Sequence, residues 1–455
     1  MILSWKETQS GIVNADERLP WGQTIAMGFQ HVLAMFGATV VAPILMGFDP
    51  NLAILFSGVG TLIFFAVVGG AVPSYLGSSF AFIGPVAAVT GTAAASGATN
   101  GIALALGGIV AAGVVYTLIG LVVHLTGGGW IDTLMPPLVT GAVVAIIGLN
   151  LAPAARNLAA VDPVVAAITV LAIFVIGLLT TGVFSRLPIL IGSVIGYLAA
   201  LLLGGTSADG RQYLGVTVHG VDLAPMGAAP WFGTPAFQAP EFNGSAMALI
   251  APVAIVLVAE NTGHVKAVSA LTGRNLTPFL GRAFIGDGLA TIVAGLRGGT
   301  GVTTYAENIG VMAVTRVYST LVFLIAGIIA IIFGLSPKFG AVIGSIPQGV
   351  LGGVTTVLFG LIAVTGARIW VDNRVDFTRT VNLFVAAVTL IIGAADYTVT
   401  LGGFTLNGIT LGTFGAIVLY QLFKGASDID EFAIVGDSAE AEAEIRAGGA
   451  QRPRR

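Results

Sequence analysis

The chain has 455 residues, 56% of them hydrophobic and only 9% charged, against about 25% charged in soluble globular domains. With a mean hydropathy of +0.96, this composition excludes a soluble enzyme and a nucleic-acid-binding protein and points to an all-α polytopic membrane protein. The net charge of −3 informs little, because the charges sit in loops and tails, and the absence of Cys excludes disulfides, thiolate chemistry and Cys-ligated metal.

The N-terminus, residues 1–20, is polar, with Lys6, Glu7, Asp16, Glu17 and Arg18. It lacks the basic start and cleavage site of a signal peptide, so the first apolar run reads as a retained transmembrane helix. Spans of about 20 apolar residues each recur about fourteen times along the chain. They fall near 22–46, 51–72, 79–95, 100–126, 132–152, 163–181, 187–205, 245–265, 280–297, 303–315, 316–336, 343–365, 378–395 and 405–423. The interval 206–243, with Asp209, Arg211, Asp222 and Trp231, is the longest polar break and divides the spans into equal halves. Residues 425–455 are acidic and Ala/Gly-rich, then basic, and read as a mobile tail. With the N-terminus inside, inner loops and helix ends carry Arg186, Lys266, Arg274, Arg282, Arg316, Arg368, Arg374, Arg379 and Lys424. The outer ones carry Arg156, Arg211, Arg297 and Lys338. That excess predicts both termini in the cytoplasm and 206–243 as an extracytoplasmic loop.

Two segments break the helical pattern in corresponding places. One runs Gly77-Ser78-Ser79-Phe80-Ala81-Phe82-Ile83-Gly84-Pro85, the other Thr300-Gly301-Val302-Thr303-Thr304-Tyr305-Ala306-Glu307-Asn308-Ile309-Gly310. Glu260 follows His31 by 229 residues, and Glu307 follows Phe80 by 227. A near-constant offset between halves with an odd number of spans predicts inverted repeats, whose paired interrupted segments point to a transport site near the bilayer midplane. Two unrelated Gly-rich loops are the alternative. The short Ser/Phe and Thr/Tyr stretches have the composition of extended backbone, tolerated at membrane depth only where protein buries it or it lines a cavity.

Glu260 ends an apolar run from Leu249, and Glu307 sits among polar and small residues. An isolated carboxylate within the membrane is costly and marks a substrate or ion pathway. His264, four residues after Glu260, shares its helix face, so the two can share a proton. Glu307 at a half-helix start gains from the dipole and from free N–H groups. Phe80 and Tyr305 are candidates to line a flat ligand. The plainer readings are a polar helix end at Glu260, a first-turn acid at Glu307, and packing for the two aromatics. His31 and Asn308 are polar residues of structural type; Asn382 and Asp396 belong with them, and His124 and His219 with helix ends or loops. No metal-ligand spacing and no phosphate-binding loop occurs, so transport driven by an ion gradient is expected rather than catalysis or an ATP-driven pump.

Four stretches carry a resemblance. They are Gln30-His31-Val32-Leu33-Ala34-Met35-Phe36-Gly37, Tyr75-Leu76-Gly77-Ser78-Ser79-Phe80-Ala81-Phe82, Ala259-Glu260-Asn261-Thr262-Gly263-His264 and Tyr305-Ala306-Glu307-Asn308-Ile309-Gly310-Val311-Met312-Ala313-Val314-Thr315-Arg316. Together they resemble the nucleobase–ascorbate transporter family (nucleobase:cation symporter 2), its uracil and pyrimidine permease branch above all. Glu307, Asn308, Gly310 and Thr315 match the family signature, and the likeness runs from about residue 20 to 424.

The resemblance implies two inverted repeats. Spans 1–4 and 8–11 (21–130 and 244–340) would form a core domain. Spans 5–7 and 12–14 (131–205 and 341–424) would form a gate domain, with short β-strands in spans 3 and 10 meeting at the substrate. It implies that Glu260, Glu307, Phe80, Tyr305, Ala306 and His264 bind the base, and that Glu260, His264 and Glu307 handle the coupling proton. No cofactor is implied, and a homodimer through the gate domains in the cytoplasmic membrane is. Uracil permeases carry Gly where this chain has Ala306, and purine-specific members carry Gln where it has Glu307. The expectation is therefore a proton-coupled importer of uracil or a related pyrimidine. A xanthine or uric acid permease is the alternative, and an anion transporter or channel of the same architecture a more distant one.

Overall fold

The computed structural model describes residues 4–8, 11–95, 99–182, 184–206, 210–213, 216–401 and 404–426. From residue 427 on, the expected tail lies outside the described residues. A polar arm with two short strands, β1 (Lys6–Glu7) and β2 (Glu17–Arg18), leads into α1 (Trp21–Met46) and α2 (Pro50–Val67). Strand β3 (Leu76–Ser78) and a single 3-10 turn (Phe80–Phe82) precede α3 (Ile83–Ala95). There follow α4 (Gly101–Thr126), α5 (Gly129–Leu134), α6 (Pro137–Asn150), α7 (Ala152–Val161), α8 (Pro163–Leu179) and α9 (Pro188–Gly204). The polar interval holds a hairpin, β4 (Arg211–Tyr213) and β5 (Val216–Val218), and a short α10 (Ala224–Ala228).

The second half begins with α11 (Gly244–Ile250), α12 (Val253–Thr272) and α13 (Leu280–Gly295). Strand β6 (Val302–Thr304) then enters α14 (Ala306–Thr315), followed by α15 (Thr320–Gly334), α16 (Pro337–Gly344), α17 (Gln348–Asp372) and α18 (Thr380–Ala394). A last hairpin, β7 (Val399–Leu401) and β8 (Phe404–Leu406), precedes α19 (Gly408–Phe423). Proline opens many of these helices, as Pro50, Pro163, Pro188 and Pro337 do; its missing N–H costs nothing in a first turn.

Among the described residues, six helical stretches are long and apolar enough to cross a membrane alone: Trp21–Met46, Pro50–Val67, Gly101–Thr126, Pro137–Val161, Gly244–Thr272 and Gln348–Asp372. A seventh forms if α15 and α16, bent by 81° at their break, count as one. Further apolar helices, α8, α9, α18 and α19 among them, are shorter.

Helices α1–α4 pack with α11–α15, and α6–α9 pack with α17–α19; between the groups, α12 touches α6 and α19, and α1 touches α9 and α17. Small residues let backbones meet, as expected where lipid supplies no hydrophobic drive between helices. A Cβ added to Gly366 in α17 would lie 2.5 Å from the carbonyl oxygen of Gly141 in α6, so that crossing admits no side chain.

Strands β3 and β6 pair antiparallel, with Leu76 opposite Thr304, Gly77 opposite Thr303 and Ser78 opposite Val302. The ladder continues through Ser79 N–H to Gly301 O (2.9 Å) and Tyr305 N–H to Tyr75 O (3.1 Å). Outside the ladder, side chains satisfy the strand edges. Thr61 of α2 accepts from Leu76 N–H at 3.0 Å, and Thr291 of α13 accepts from Val302 N–H and donates to Val302 O, each at 3.2 Å. Every strand residue is buried, so this extended backbone stays within protein, as membrane depth requires.

Candidate functional site

The two strands end where α3 and α14 begin, and the residues singled out by sequence gather there. Glu260 on α12 and Glu307 in the first turn of α14 line one narrow cavity, with Phe80, His264, Thr303, Thr304, Tyr305 and Ala306. Val144 of α6 and Ile362 and Thr365 of α17 close its other side. The cavity therefore lies between the two groups of helices. Glu260 Oε2 is buried without a protein partner, and so is the hydroxyl of Thr303. Unpartnered polar atoms facing a cavity are what a polar ligand or water would satisfy.

Each residue reaches this place by a local cause. Tyr305, extended at φ −108°, precedes the first turn of α14 and leaves N–H groups there free of intrahelical partners. Tyr305 is held from beneath: its hydroxyl donates to Ser78 O at 2.8 Å and accepts from Thr39 at 3.2 Å. Its ring lies over Gly77, where a Cβ would come within 2.4 Å of Tyr305 Cζ. The ring is thus anchored to the strand pair. Phe80, on the 3-10 turn, meets the edge of Phe359 on α17, with ring centroids 5.5 Å apart.

His264 does line the cavity with Glu260, and its Nδ1 lies 2.8 Å from the Thr304 hydroxyl. Beyond Thr304 stands a buried network that sequence reasoning missed. Thr304 donates to Asn261 Oδ1 at 3.3 Å. The Asn261 amide donates to the Tyr116 hydroxyl at 3.0 Å and to Asp287 Oδ2 at 2.5 Å. Asp287, on α13, is fully buried, and its Oδ1 has no partner. The signal for it was present: it is the sole acid in the apolar stretch 280–297, the same mark that picked out Glu260.

His31 and Asn308 stand apart from the cavity and join α1 to α14. The Asn308 amide bonds His31 Nδ1 at 3.0 Å and His31 O at 3.1 Å, and the His31 ring packs on Phe323. Asn382 and Asp396 bond backbone or Asn150 near helix ends. Among the described residues, no three of His, Asp and Glu converge to hold a metal ion.

A second cavity touches the first at Glu307. It is lined by Leu33 and Ala34 of α1, by Gly310, Val311 and Val314 of α14, and by Ser185 and Leu187–Leu190 at the start of α9.

Known proteins share both the fold and the sequence. The transmembrane domain of a cyanobacterium bicarbonate transporter, BicA, superposes with a TM-score of 0.57 at 16% identity, over 90% of this chain and 99% of that one. SLC26A9 superposes with a TM-score of 0.62 at 11% identity, over 88% and 64%. Both likenesses are of fold alone. In sequence, the "Putative pyrimidine permease RutG" of Escherichia coli K12 is 58% identical over 92% of this chain and 93% of its own length. Uracil permeases of Paenibacillus larvae and Escherichia coli K12 are 39% and 38% identical over 91% and 94% of this chain and 97% and 98% of theirs. Residues 22–402 match the sequence model of the Permease family, and this chain belongs to that family, the nucleobase–ascorbate transporters, as a multi-pass membrane transporter and not an enzyme.

Proposed function

We propose that this protein imports uracil or a related pyrimidine base across the cytoplasmic membrane together with a proton, by alternating access. The observation that carries the reading is the convergence of Glu260 and Glu307 on one cavity between two groups of helices, at the ends of paired strands. The pyrimidine and uracil permeases among the relatives support the cargo. The ligand chemistry fits as well: a pyrimidine-dione ring alternates N–H donors with C=O acceptors. An ionised carboxylate accepts from N–H, and a protonated one donates to a carbonyl. A neutral base and a proton therefore need no separate ion site or cofactor. The two carboxyls line one cavity with His264, and the proton belongs to the group rather than to one residue. Protonation admits the base, and the loaded half moves against the other.

The architecture in this reading has about fourteen spans in two inverted repeats. Residues 21–130 and 244–340 form a core that carries the site, and 131–205 and 341–424 a gate. The segregated packing of α1–α4 with α11–α15 supports the division. Support for the repeat comes from the strand braces: Thr291 follows Thr61 by 230 residues and serves β6 as Thr61 serves β3. Both termini lie in the cytoplasm, residues 206–243 lie outside, and two copies associate through their gate domains.

Radiolabelled uracil uptake into proteoliposomes, with and without an inward proton gradient, tests this. Gradient-driven uptake that thymine blocks and xanthine does not is the expected result. Block by xanthine would extend the cargo to purines, and absence of uptake by folded protein would overturn the substrate.

A further inference from the structure

The N-terminal arm lies far from Glu307 along the chain, yet it is bonded to the link that follows the helix carrying it. Val13 forms a parallel bridge with Val317. Val13 N–H donates to Arg316 O at 3.0 Å, and Val13 O accepts from Tyr318 N–H at 2.7 Å. Two residues on, Ala15 O accepts from Thr320 N–H at 3.1 Å and from the Thr320 hydroxyl at 2.9 Å. The indole of Trp5 donates to that same hydroxyl at 3.1 Å. Residues 316–319 are the link between α14 and α15, and Thr320 is the first residue of α15. Arg316 there adopts a left-handed φ of 56°, and Ser319 caps α15 without a side-chain hydrogen bond. The arm thus supplies the acceptor that the first N–H of α15 would otherwise lack.

Two residues anchor the arm in the fold, while Lys6, Glu7, Ile12, Asn14 and Asp16 between and around them are exposed. Val13 and Ala15 are each 1% exposed. Val13 packs with Val317, Val322, Leu19 and Met27, and Trp5 lies against Phe65 of α2. Its loop is closed on itself by Lys6 N–H to Asp16 O, Thr8 N–H to Arg18 O and an Arg18–Glu7 ion pair of 2.7 Å. These contacts all fall on α1, α2, the 316–319 link and α15.

Helix α14 has 10 residues, a length at which a helix is marginal without tertiary support. It is tied at one end by Tyr305 N–H to Tyr75 O and at the other by Val13 to Arg316 O. Glu307 stands in its first turn. We propose that the arm segment Val13–Ala15 is a positioning element for Glu307, holding the far end of α14 so that the helix, and with it the carboxylate, keeps one axial placement against the cavity. The inference rests on the reading of Glu307 as a base-binding group. The arm stays docked through the transport cycle, because α2 and α15, which it ties to the link after α14, pack within one group of helices.

The test uses full-length protein. Val13→Pro deletes the N–H given to Arg316 O, while Val13→Ile keeps it. Val13→Pro is expected to weaken uracil binding about five- to tenfold with maximal uptake within about twofold, and Val13→Ile to match the parent. Unchanged affinity in Val13→Pro, or loss of maximal rate alone, overturns the proposal. If Val13→Pro does not fold, Trp5→Phe, which keeps the ring and loses the donor, is expected to weaken binding about two- to threefold. Because the chain has no Cys, the pair Val13→Cys and Val317→Cys can lock the arm in place. Uptake that survives oxidation supports a permanent strap, and uptake lost on oxidation and regained on reduction refutes it. Ala306→Cys reports on the site without any base: its alkylation rate is expected to change when Val13→Pro is added. If the parent binds no uracil but that rate still shifts, the cargo assignment fails and the strap stands; an unchanged rate removes the strap.

Discussion

Asn261 and Asp287 sit on different helices, and the amide of one donates to the carboxyl of the other at 2.5 Å. Both are fully buried, and the second oxygen of Asp287 has no protein partner. In a low-dielectric interior such a group is costly unless its remaining bond holds. The pair also links the strand bearing Thr304 to α13 through Asn261, so the network couples the cavity wall to the helix behind it.

Asn261→Ala strips Asp287 and Thr304 of their shared partner. It is expected to cost about 2–3 kcal/mol, read as a lower thermal midpoint in detergent. Asp287→Asn keeps the volume and one oxygen acceptor for the Asn261 amide and is expected to cost less. Losses that simply add in the double variant would show that the two side chains do not act as a pair.

Glu260→Gln cannot release or take up a proton. Gradient-driven uracil accumulation in proteoliposomes is expected to fall at least about tenfold, and the parent's uptake is expected to decline as external pH rises. The sign follows from symport: fewer external protons load fewer carriers. Glu307→Gln, which replaces one carboxyl oxygen by an amide donor, is expected to weaken binding about tenfold or more. Glu260→Gln with full proton-driven uptake would sink the coupling role.

Thr61 and Thr291 hold the outer edges of the two strands from α2 and α13. Thr61→Val and Thr291→Val each leave a buried backbone N–H without its partner, at a cost of about 1–3 kcal/mol. Similar drops in midpoint, with weaker uracil binding in both, are expected. A large effect at one and none at the other would mean that the braces are not equivalent.

Gly77 leaves room for the ring of Tyr305, which a Cβ would meet at 2.4 Å. Gly77→Ala is therefore expected to move the ring or the strand and to reduce uptake strongly. Tyr305→Phe removes only the hydroxyl bonds and is expected to cost about 1 kcal/mol. Combining the two would not restore uptake, because the clash is with ring carbons as well as oxygen.

The class of this protein is legible in its composition, since water excludes apolar stretches of this length wherever they lie. Glu260, Glu307 and His264 were legible for the converse reason: a lone ionisable group in an apolar run must find a polar cavity. The family motifs were legible too, being local strings. Asp287 carried the same mark as Glu260 and was overlooked, so that miss was one of reading and not of signal. The register of β3 with β6, the partner of Asn261, the anchoring of Tyr305 over Gly77 and the docking of Val13 on the 316–319 link were decided by tertiary structure. These contacts join residues from 26 to more than 300 positions apart. A hydrogen bond or a packed ring has no periodicity along the chain, and its partner is chosen only when helix packing brings two backbones to the same place.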